Sequence, residues 1–144
     1  MSEWIYGAAI HKHDGDFVVS VRDLPEVVTS GESLDEALEL ATDAIEVVVA
    51  ARMERDLPIS TPSEVVPGEH AIALPARLAA KASIYRAWKE ARISKVELAR
   101  RLGRNEVEVR RILNPRHGTK LDQLEEAASA LGGNLIVSFK PKAA

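Results

Sequence analysis

The stretch that decides the fold is residues 94–113, SKVELARRLGRNEVEVRRIL. Its apolar residues recur every three or four positions on both sides of Gly103, which predicts two short amphipathic helices joined by a tight turn. Ser94 and Asn105 are the expected N-caps, and each is followed three residues later by a glutamate, as in a capping box. Two such helices can be an ordinary helical hairpin. The caps, the glycine and the basic residues that follow favour a DNA-reading element instead.

The spacing E-L-A-x-x-L-G-x-x-x-x-x-V-x-x-[IL], which begins at residue 97, resembles the helix-turn-helix of Cro/Xre-type DNA-binding domains. In such a motif the second helix lies in the major groove, while the start of the first helix directs backbone amides at phosphate. The resemblance therefore implies that Ser94 and Lys95 touch phosphate. Arg104 and Lys120 are expected to add charge that releases counterions from DNA.

The groove-facing positions that the resemblance implies are Glu106, Val107 and Arg111, with Arg110 beside them. Arg111 would pair with guanine, Glu106 would accept from a cytosine amino group, and Val107 would contact a thymine methyl. Val107 departs from the usual polar set, and Glu106 needs a base or an arginine to offset repulsion from phosphate. The full set of expected DNA-binding residues is Ser94, Lys95, Arg104, Asn105, Glu106, Val107, Arg110, Arg111 and Lys120.

Charge is distributed very unevenly along the 144 residues, although the net charge is only −3. Residues 1–70 contain four Lys/Arg against fifteen Asp/Glu, a net −11, and residues 71–144 contain fifteen against seven, a net +8. This asymmetry predicts a cationic partner for the first half and a polyanion for the second. The plainer interpretation of the acidic half is a solvated surface that maintains solubility.

The first half reads as a small antiparallel sheet with one long helix. Alternating and β-branched residues predict strands, and the Asp14-Gly15 pair predicts a tight hairpin turn between the first two. Ser33 is the expected N-cap of the long helix, whose apolar face begins with Leu34, Leu38, Ala41, Ile45 and Val48. The predicted strands cover residues 4–11, 17–21, 27–29 and 71–74.

The second half reads as all-helical, with a domain boundary at Pro75 that gives domains 1–74 and 75–144. A proline- and glycine-rich segment, residues 57–69, precedes the boundary and is predicted to be irregular. Besides the two helices of residues 94–113, helices are expected at residues 76–91 and at residues 120–131, the latter capped by Thr119.

One strand signal in the helical half lacks a partner. Residues 134–139, NLIVSF, predict a strand, and an isolated strand leaves its backbone N–H and C=O groups unpaired. Pairing with the same strand of a second copy would satisfy them and form a dimer. Pairing with the N-terminal sheet and an unstructured tail are the alternatives. The expected dimerisation residues are Leu135, Ile136, Val137, Ser138 and Phe139.

Catalytic and metal-site patterns are weak. His11, His13, Asp14 and Asp16 are close in sequence, but the hairpin turn alone accounts for the Asp-Gly pair. A metal-dependent nuclease that uses Asp14, Asp16 and Asp23 is the enzymatic alternative. The chain has no cysteine, nucleophile–base pair or phosphate-cradling glycine loop. We therefore expect no enzyme activity, no metal and no cofactor.

The order of the two halves resembles a HicB-type antitoxin of the HicAB toxin–antitoxin system. The resemblance covers residues 14–45, DGDFVVSVRDLPEVVTSGESLDEALELATDAI, the segment PISTPS at residues 58–63, and residues 95–132 with the pattern R-x-[IL]-N-x-[RH]-H-[GA]-T-K-[LI]-D. It implies an N-terminal domain with a partial ribonuclease-H-like fold that binds a small, basic, mRNA-cleaving HicA toxin. It also implies a C-terminal domain that represses the toxin–antitoxin operon.

The sequence therefore predicts an antitoxin that binds a HicA-like toxin and, as a homodimer or higher even oligomer, a palindromic operator. The toxin-binding residues are not readable within residues 1–74, and the acidic hairpin and strand region is the working hypothesis for the contact. The start of the chain lacks the features of a secretion signal, and no apolar run is long enough for a membrane span, so we expect a cytoplasmic protein without a membrane partner. The alternative is a stand-alone Xre-family transcriptional regulator with a ligand-sensing N-terminal domain.

Overall fold

The N-terminal half forms a four-stranded antiparallel sheet. The computed structural model describes residues 3–141, so the outermost residues of both expected domains lie outside the described residues. The spatial strand order is β3-β2-β1-β4. The bounds are β1 (Ile5–His13), β2 (Asp16–Val21), β3 (Leu24–Gly31) and β4 (His70–Ala73). The expected α+β class of this half is confirmed.

The hairpin between β1 and β2 turns at Asp14 and Gly15, which have φ angles of 50° and 85°. Two consecutive positive φ angles fit the right-handed twist of the paired strands, so the Asp-Gly prediction is confirmed. Strand β3 is longer than predicted and includes Pro25. Because β3 is an edge strand, the missing N–H of this proline disturbs the sheet little.

Helix α1 (Leu34–Glu54) packs on one face of the sheet. Ser33 is its N-cap, as predicted, and its Oγ accepts a hydrogen bond of 3.1 Å from the Glu36 N–H. The buried face differs from the prediction, since Leu38 and Val48 are only half-buried. The buried residues are Ala37, Ala41, Ile45, Val49, Ala50 and Met53.

The segment between α1 and β4 is irregular, as predicted, and polar contacts hold it against the sheet. Both Oδ atoms of Asp23 accept from Ser63, from its hydroxyl at 2.6 Å and from its backbone N–H at 2.8 Å. Arg22 donates to Glu69 at 2.9 Å, and these hydrogen bonds keep the pKa of the Glu69 carboxyl below its ordinary value. Ile59 of this segment is buried in the core.

The second half contains four helices among the described residues: α2 (Ala76–Ala91), α3 (Lys95–Leu102), α4 (Glu106–Leu113) and α5 (Leu121–Ala130). Both predicted N-caps of the 94–113 stretch are confirmed, and Gly103 ends α3 with a φ of 65°. The predicted cap of α5 is wrong. Lys120 is the N-cap residue, and the Thr119 hydroxyl instead bonds a buried lysine described below.

Contacts between the two halves form one continuous apolar core. Trp4 Nε1 donates to Ser83 Oγ of α2 at 2.7 Å, and Tyr85 Oη of α2 donates to the Leu57 carbonyl at 2.7 Å. An ion pair of 3.1 Å joins Arg116 to Glu54 at the end of α1. The helical half is therefore anchored to the sheet half by both apolar and polar contacts.

The C-terminal segment, residues 134–141, forms no strand in the single chain and does not join the N-terminal sheet within the described part. Leu135 packs against the core, whereas Val137 and Phe139 are 81% and 90% exposed. The alternative in which residues 134–139 pair with the N-terminal sheet is therefore wrong for the single chain. Pairing with a second copy stays a prediction.

The close approach of β3 to α1 generates a test of the packing. A Cβ at Gly31 would lie 2.7 Å from the Ala37 backbone nitrogen, which is too close for the helix to remain in place. Gly31→Ala should lower the free energy of unfolding by about 1–3 kcal/mol, measured by urea denaturation.

The matched control is Gly118→Ala, because the nearest heavy atom to a Cβ at this position is a guanidinium nitrogen 3.6 Å away. It should change stability little. Equal stability of the two variants would contradict the packing of α1 on Gly31.

Candidate nucleic-acid interface

The start of α3 is built as predicted. Ser94 Oγ accepts a hydrogen bond of 3.0 Å from the Glu97 N–H, which leaves the other amides of the first turn available to a ligand. Lys95, the first helical residue, is half-buried, and its Nζ lies 5.7 Å from the centre of the Trp88 ring. The aromatic ring therefore positions this ammonium group beside the start of α3.

The turn between α3 and α4 is held by an arginine that the sequence assigned to DNA. Arg104 donates to Glu126 of α5 at 2.8 Å and lies 3.7 Å from Glu108. A phosphate would have to compete with both carboxylates for this guanidinium. Asn105 Oδ1 accepts from the Glu108 N–H at 2.9 Å, so its side chain is occupied as a cap. Arg104 and Asn105 thus shape the turn in this structure.

Helix α4 has one buried and one open face. Val109, Ile112 and Leu113 are buried in the core, whereas Val107 and Arg111 are exposed. Within residues 3–141 the Arg111 guanidinium makes no ion pair, so it is available to an outside acceptor.

Glu106 is paired with an arginine, as the sequence analysis requires of a carboxylate expected near phosphate. The Arg110 guanidinium, one helical turn away, donates to the Glu106 carboxylate at 3.0 Å. The pair offsets part of the repulsion that an isolated carboxylate would have with a polyanion. Glu106, Arg110, Val107 and Arg111 together form the open face of α4.

Lys120 is exposed at the N-cap of α5, and its side chain makes no cap hydrogen bond. The expected residues lie on α3, on the turn after it, on α4 and at the start of α5. Five of them already bind other residues of the chain: Ser94, Arg104, Asn105, Glu106 and Arg110. Val107, Arg111 and Lys120 are exposed.

Sequence reasoning missed the residue that fixes α4 in place. Lys81 of α2 is 0% exposed, and its Nζ donates to the carbonyls of Arg111 and Ile112, both at 2.9 Å, and to Thr119 Oγ1 at 2.7 Å. The ammonium therefore caps the carbonyl end of α4, where a positive charge is favourable. Burial, together with the nearby positive charge of Arg77, lowers the pKa of Lys81 to about 8.

A sequence signal for Lys81 did exist. The apolar face of α2 runs through Leu78, Ala82, Tyr85 and Trp88, and Lys81 lies on that face at helical spacing. A lysine on an apolar face is seldom buried unless it has acceptors. The acceptors come from α4 and the loop after it, so local patterning could not identify them.

The acidic half has a different character. Among residues 3–141, no three His, Asp or Glu side chains come together as a metal ion would require, and this includes the predicted His/Asp hairpin. Within the same described part, no helix combines the length and apolar character that crossing a bilayer requires. The outward side of α1 is acidic, with Glu36, Glu39, Asp43 and Glu46 along it.

The sequence was compared with models of known protein families. Residues 6–83 match the family model described as "HicB_like antitoxin of bacterial toxin-antitoxin system". That match includes the four-stranded sheet, α1 and the first half of α2. It therefore includes residues on both sides of the contact between the two halves. The chain belongs to the HicB-like antitoxin family.

Three relatives extend the similarity over most of the chain. Antitoxin HicB of Escherichia coli strain K12 is 37% identical over 122 residues, which cover 85% of this chain and 88% of the relative. Antitoxin HicB 1 of Photorhabdus laumondii is 35% identical, covering 88% and 81%, and antitoxin HicB of Pseudomonas fluorescens is 32% identical, covering 94% and 93%. These relatives support an antitoxin role, and their names describe antitoxins rather than enzymes.

The Lys81 contacts generate a test of how α4 is held. Lys81→Met removes the ammonium and leaves two carbonyls and the Thr119 hydroxyl without this donor. It should lower the free energy of unfolding by about 1–3 kcal/mol at pH 7, measured by denaturant titration. Lys89→Met is the matched control, because Lys89 is on the same helix but only half-buried, and pairs with Asp56 at the surface. It should cost much less.

The pH dependence of the same comparison has a definite sign. Between pH 8 and pH 10.5 the unfolded chain keeps a proton on Lys81 that the folded chain has lost, because the folded pKa is the lower one. The wild-type chain should therefore gain stability relative to Lys81→Met as the pH rises through this range. Equal losses for the Lys81 and Lys89 variants would contradict the role of Lys81.

Proposed function

We propose that the chain is the antitoxin of a type II toxin–antitoxin system and neutralises a small, basic, HicA-type toxin that cleaves mRNA. In this proposal residues 1–74 bind the toxin. Residues 75–144 act as a Cro/Xre-like helix-turn-helix domain, and a dimer of the chain represses its own operon. The similarity to antitoxins over most of the chain is the observation that carries the proposal.

The charge of the N-terminal half supports the toxin-binding part. A net charge of −11 over residues 1–70 attracts a basic protein and disfavours wrong partners. The β1–β3 meander followed by α1 is the part for which we propose a partial ribonuclease-H-like fold. The protein neutralises the toxin by binding, so this half needs no catalytic residues.

The open face of α4 supports the DNA-binding part. Its exposed Arg111 has the reach for the bidentate contact with guanine, and Val107 can meet a thymine methyl. The Glu106–Arg110 pair keeps the carboxylate compatible with phosphate, and Glu106 Oε2, which does not take part in that hydrogen bond, can accept from a cytosine amino group. Ser94, Lys95 and Lys120 would bind the flanking phosphates. Arg104 and Asn105 would then act by shaping the turn.

The exposed C-terminal segment supports a dimer. Ile136, Val137 and Phe139 are apolar and exposed, and the backbone around them makes no ladder with the N-terminal sheet. Antiparallel pairing of residues 135–139 from two copies would bury these side chains and satisfy the backbone. A two-fold dimer presents two α4 helices and therefore favours a palindromic operator with half-sites about 34 Å apart.

Growth and promoter assays in the same cells test both parts at once. Expression of the wild-type chain should restore growth to cells that express the neighbouring toxin gene, and should repress a reporter driven by its own promoter. Arg111→Ala should still restore growth but should weaken operator binding at least about tenfold, because it removes a base contact. Lys12→Ala, which removes one positive charge from the distant hairpin, should behave like the wild-type chain in both assays.

Failure of the wild-type chain to restore growth, combined with tight promoter binding, would overturn the toxin-binding part and favour a stand-alone regulator. Such a regulator should release DNA when a metabolite is added. Full repression by Arg111→Ala would overturn the assignment of the open face of α4 to DNA.

The dimer has its own test. Val137→Pro should break the pairing of residues 135–139, because proline removes a ladder N–H and distorts the strand. The molar mass in light scattering should fall from that of a dimer or larger even oligomer to that of one chain. The matched control is Val137→Thr, which keeps the preference for a strand and should leave the molar mass unchanged. An unchanged mass for Val137→Pro would contradict this dimer.

A further inference from the structure

Helix α1 has an apolar stripe whose two large side chains are exposed, whereas its two alanines are half-buried and one of them, Ala44, packs against the core. Leu40, Ala44, Val47 and Ala51 follow one another at intervals of four, three and four residues, so they lie along one side of the helix. Leu40 is 42% exposed and Val47 is 58% exposed. We call these four residues the α1 stripe. It is separate from the buried residues Ala37, Ala41, Ile45 and Val49, which face the sheet.

Carboxylates without ion-pair partners flank the α1 stripe on its solvent side. Within the described part of the chain, five acidic residues of α1 make no salt bridge, and the helix has no basic residue before Arg52. Arg52 is itself bound to Glu26 of β3 at 2.7 Å, so it does not offset this charge. The uncompensated residues are Asp35, Glu36, Glu39, Asp43 and Glu46.

This combination restricts what can cover the stripe. A second copy that paired α1 with α1 would bring two such acidic surfaces together, and like charges in a forming interface cost free energy. DNA is excluded by the same repulsion. A protein with an apolar patch and a basic rim would gain from both parts, through burial of Leu40 and Val47 and through attraction at the rim.

We propose that the α1 stripe, with its carboxylate rim, is the surface on which the basic toxin docks. This inference rests on the proposed antitoxin function and assigns it a location. Leu40 and Val47 are the apolar anchors, and the acidic residues beside them accelerate association and orient the toxin. The surface is separate from the open face of α4, so the toxin and the operator use different elements of the chain.

Calorimetric titration of the full-length chain with the purified product of the neighbouring toxin gene tests the location. The double variant Leu40→Ser/Val47→Ser should bind the toxin at least about tenfold more weakly, because the apolar anchors are lost. Its unfolding midpoint should stay close to that of the wild-type chain, since both side chains are exposed. Val28→Ser is the matched control, because Val28 is 63% exposed on β3 in the same half. It should bind the toxin normally.

Charge variants separate docking from a purely structural effect. Glu39→Gln/Asp43→Asn should mainly slow association, and the association rate should depend less on salt concentration than in the wild-type chain. An association rate and salt dependence equal to those of the wild-type chain would contradict the role of the rim.

The outcomes distinguish the two proposals. A wild-type chain that does not bind the toxin would overturn the proposed function. A wild-type chain that binds, together with a Leu40/Val47 variant that binds equally well, would overturn only the location on α1. Loss of binding in Val28→Ser alone would move the site to the sheet. A changed molar mass of the Leu40/Val47 variant with unchanged toxin affinity would identify the stripe as a contact between copies and overturn the location.

Discussion

The structure of the helical half depends on one buried ammonium group. Lys81 bonds the last carbonyls of α4 and the Thr119 hydroxyl, so a single side chain fixes both α4 and the loop that leads to α5. Helix α4 has only eight residues, and a helix this short is not stable alone in water. Its orientation therefore comes from tertiary contacts, and Lys81 provides two polar ones through the carbonyls of Arg111 and Ile112. An α4 that is fixed in this way can present Val107 and Arg111 rigidly.

The two halves differ in how much of their charge is paired within the chain. The acidic side of α1 is exposed and uncompensated, whereas many arginines of the basic half are paired with glutamates, as Arg104 is with Glu126. The +8 charge of residues 71–144 is thus less freely available than the sequence suggests. In the proposed function, electrostatic attraction of DNA would depend mainly on the exposed groups at α4 and the start of α5. The ion pair of Arg116 with Glu54 ties this region to the end of α1.

Local signals in the sequence predicted local structure well. Ser33, Ser94 and Asn105 were identified as caps because a cap uses only neighbouring residues, and Asp14-Gly15 was identified because a tight turn needs positive φ angles. Thr119 was misjudged because its hydroxyl bonds a residue 38 positions away. The hydrogen bonds of Lys81 and the exposure of Leu40 and Val47 could not be predicted for the same reason. Each depends on which faces meet in three dimensions.

The central claim is that one chain has two separate surfaces, α1 for a toxin and the α3–α4 region for DNA. Hydrogen–deuterium exchange of the full-length chain, measured with the toxin and separately with promoter DNA, tests it most directly. The toxin should slow exchange in peptides from residues 34–54, and DNA should slow exchange in peptides from residues 94–120. Protection of residues 94–113 by the toxin, or protection of residues 34–54 by DNA, would contradict it.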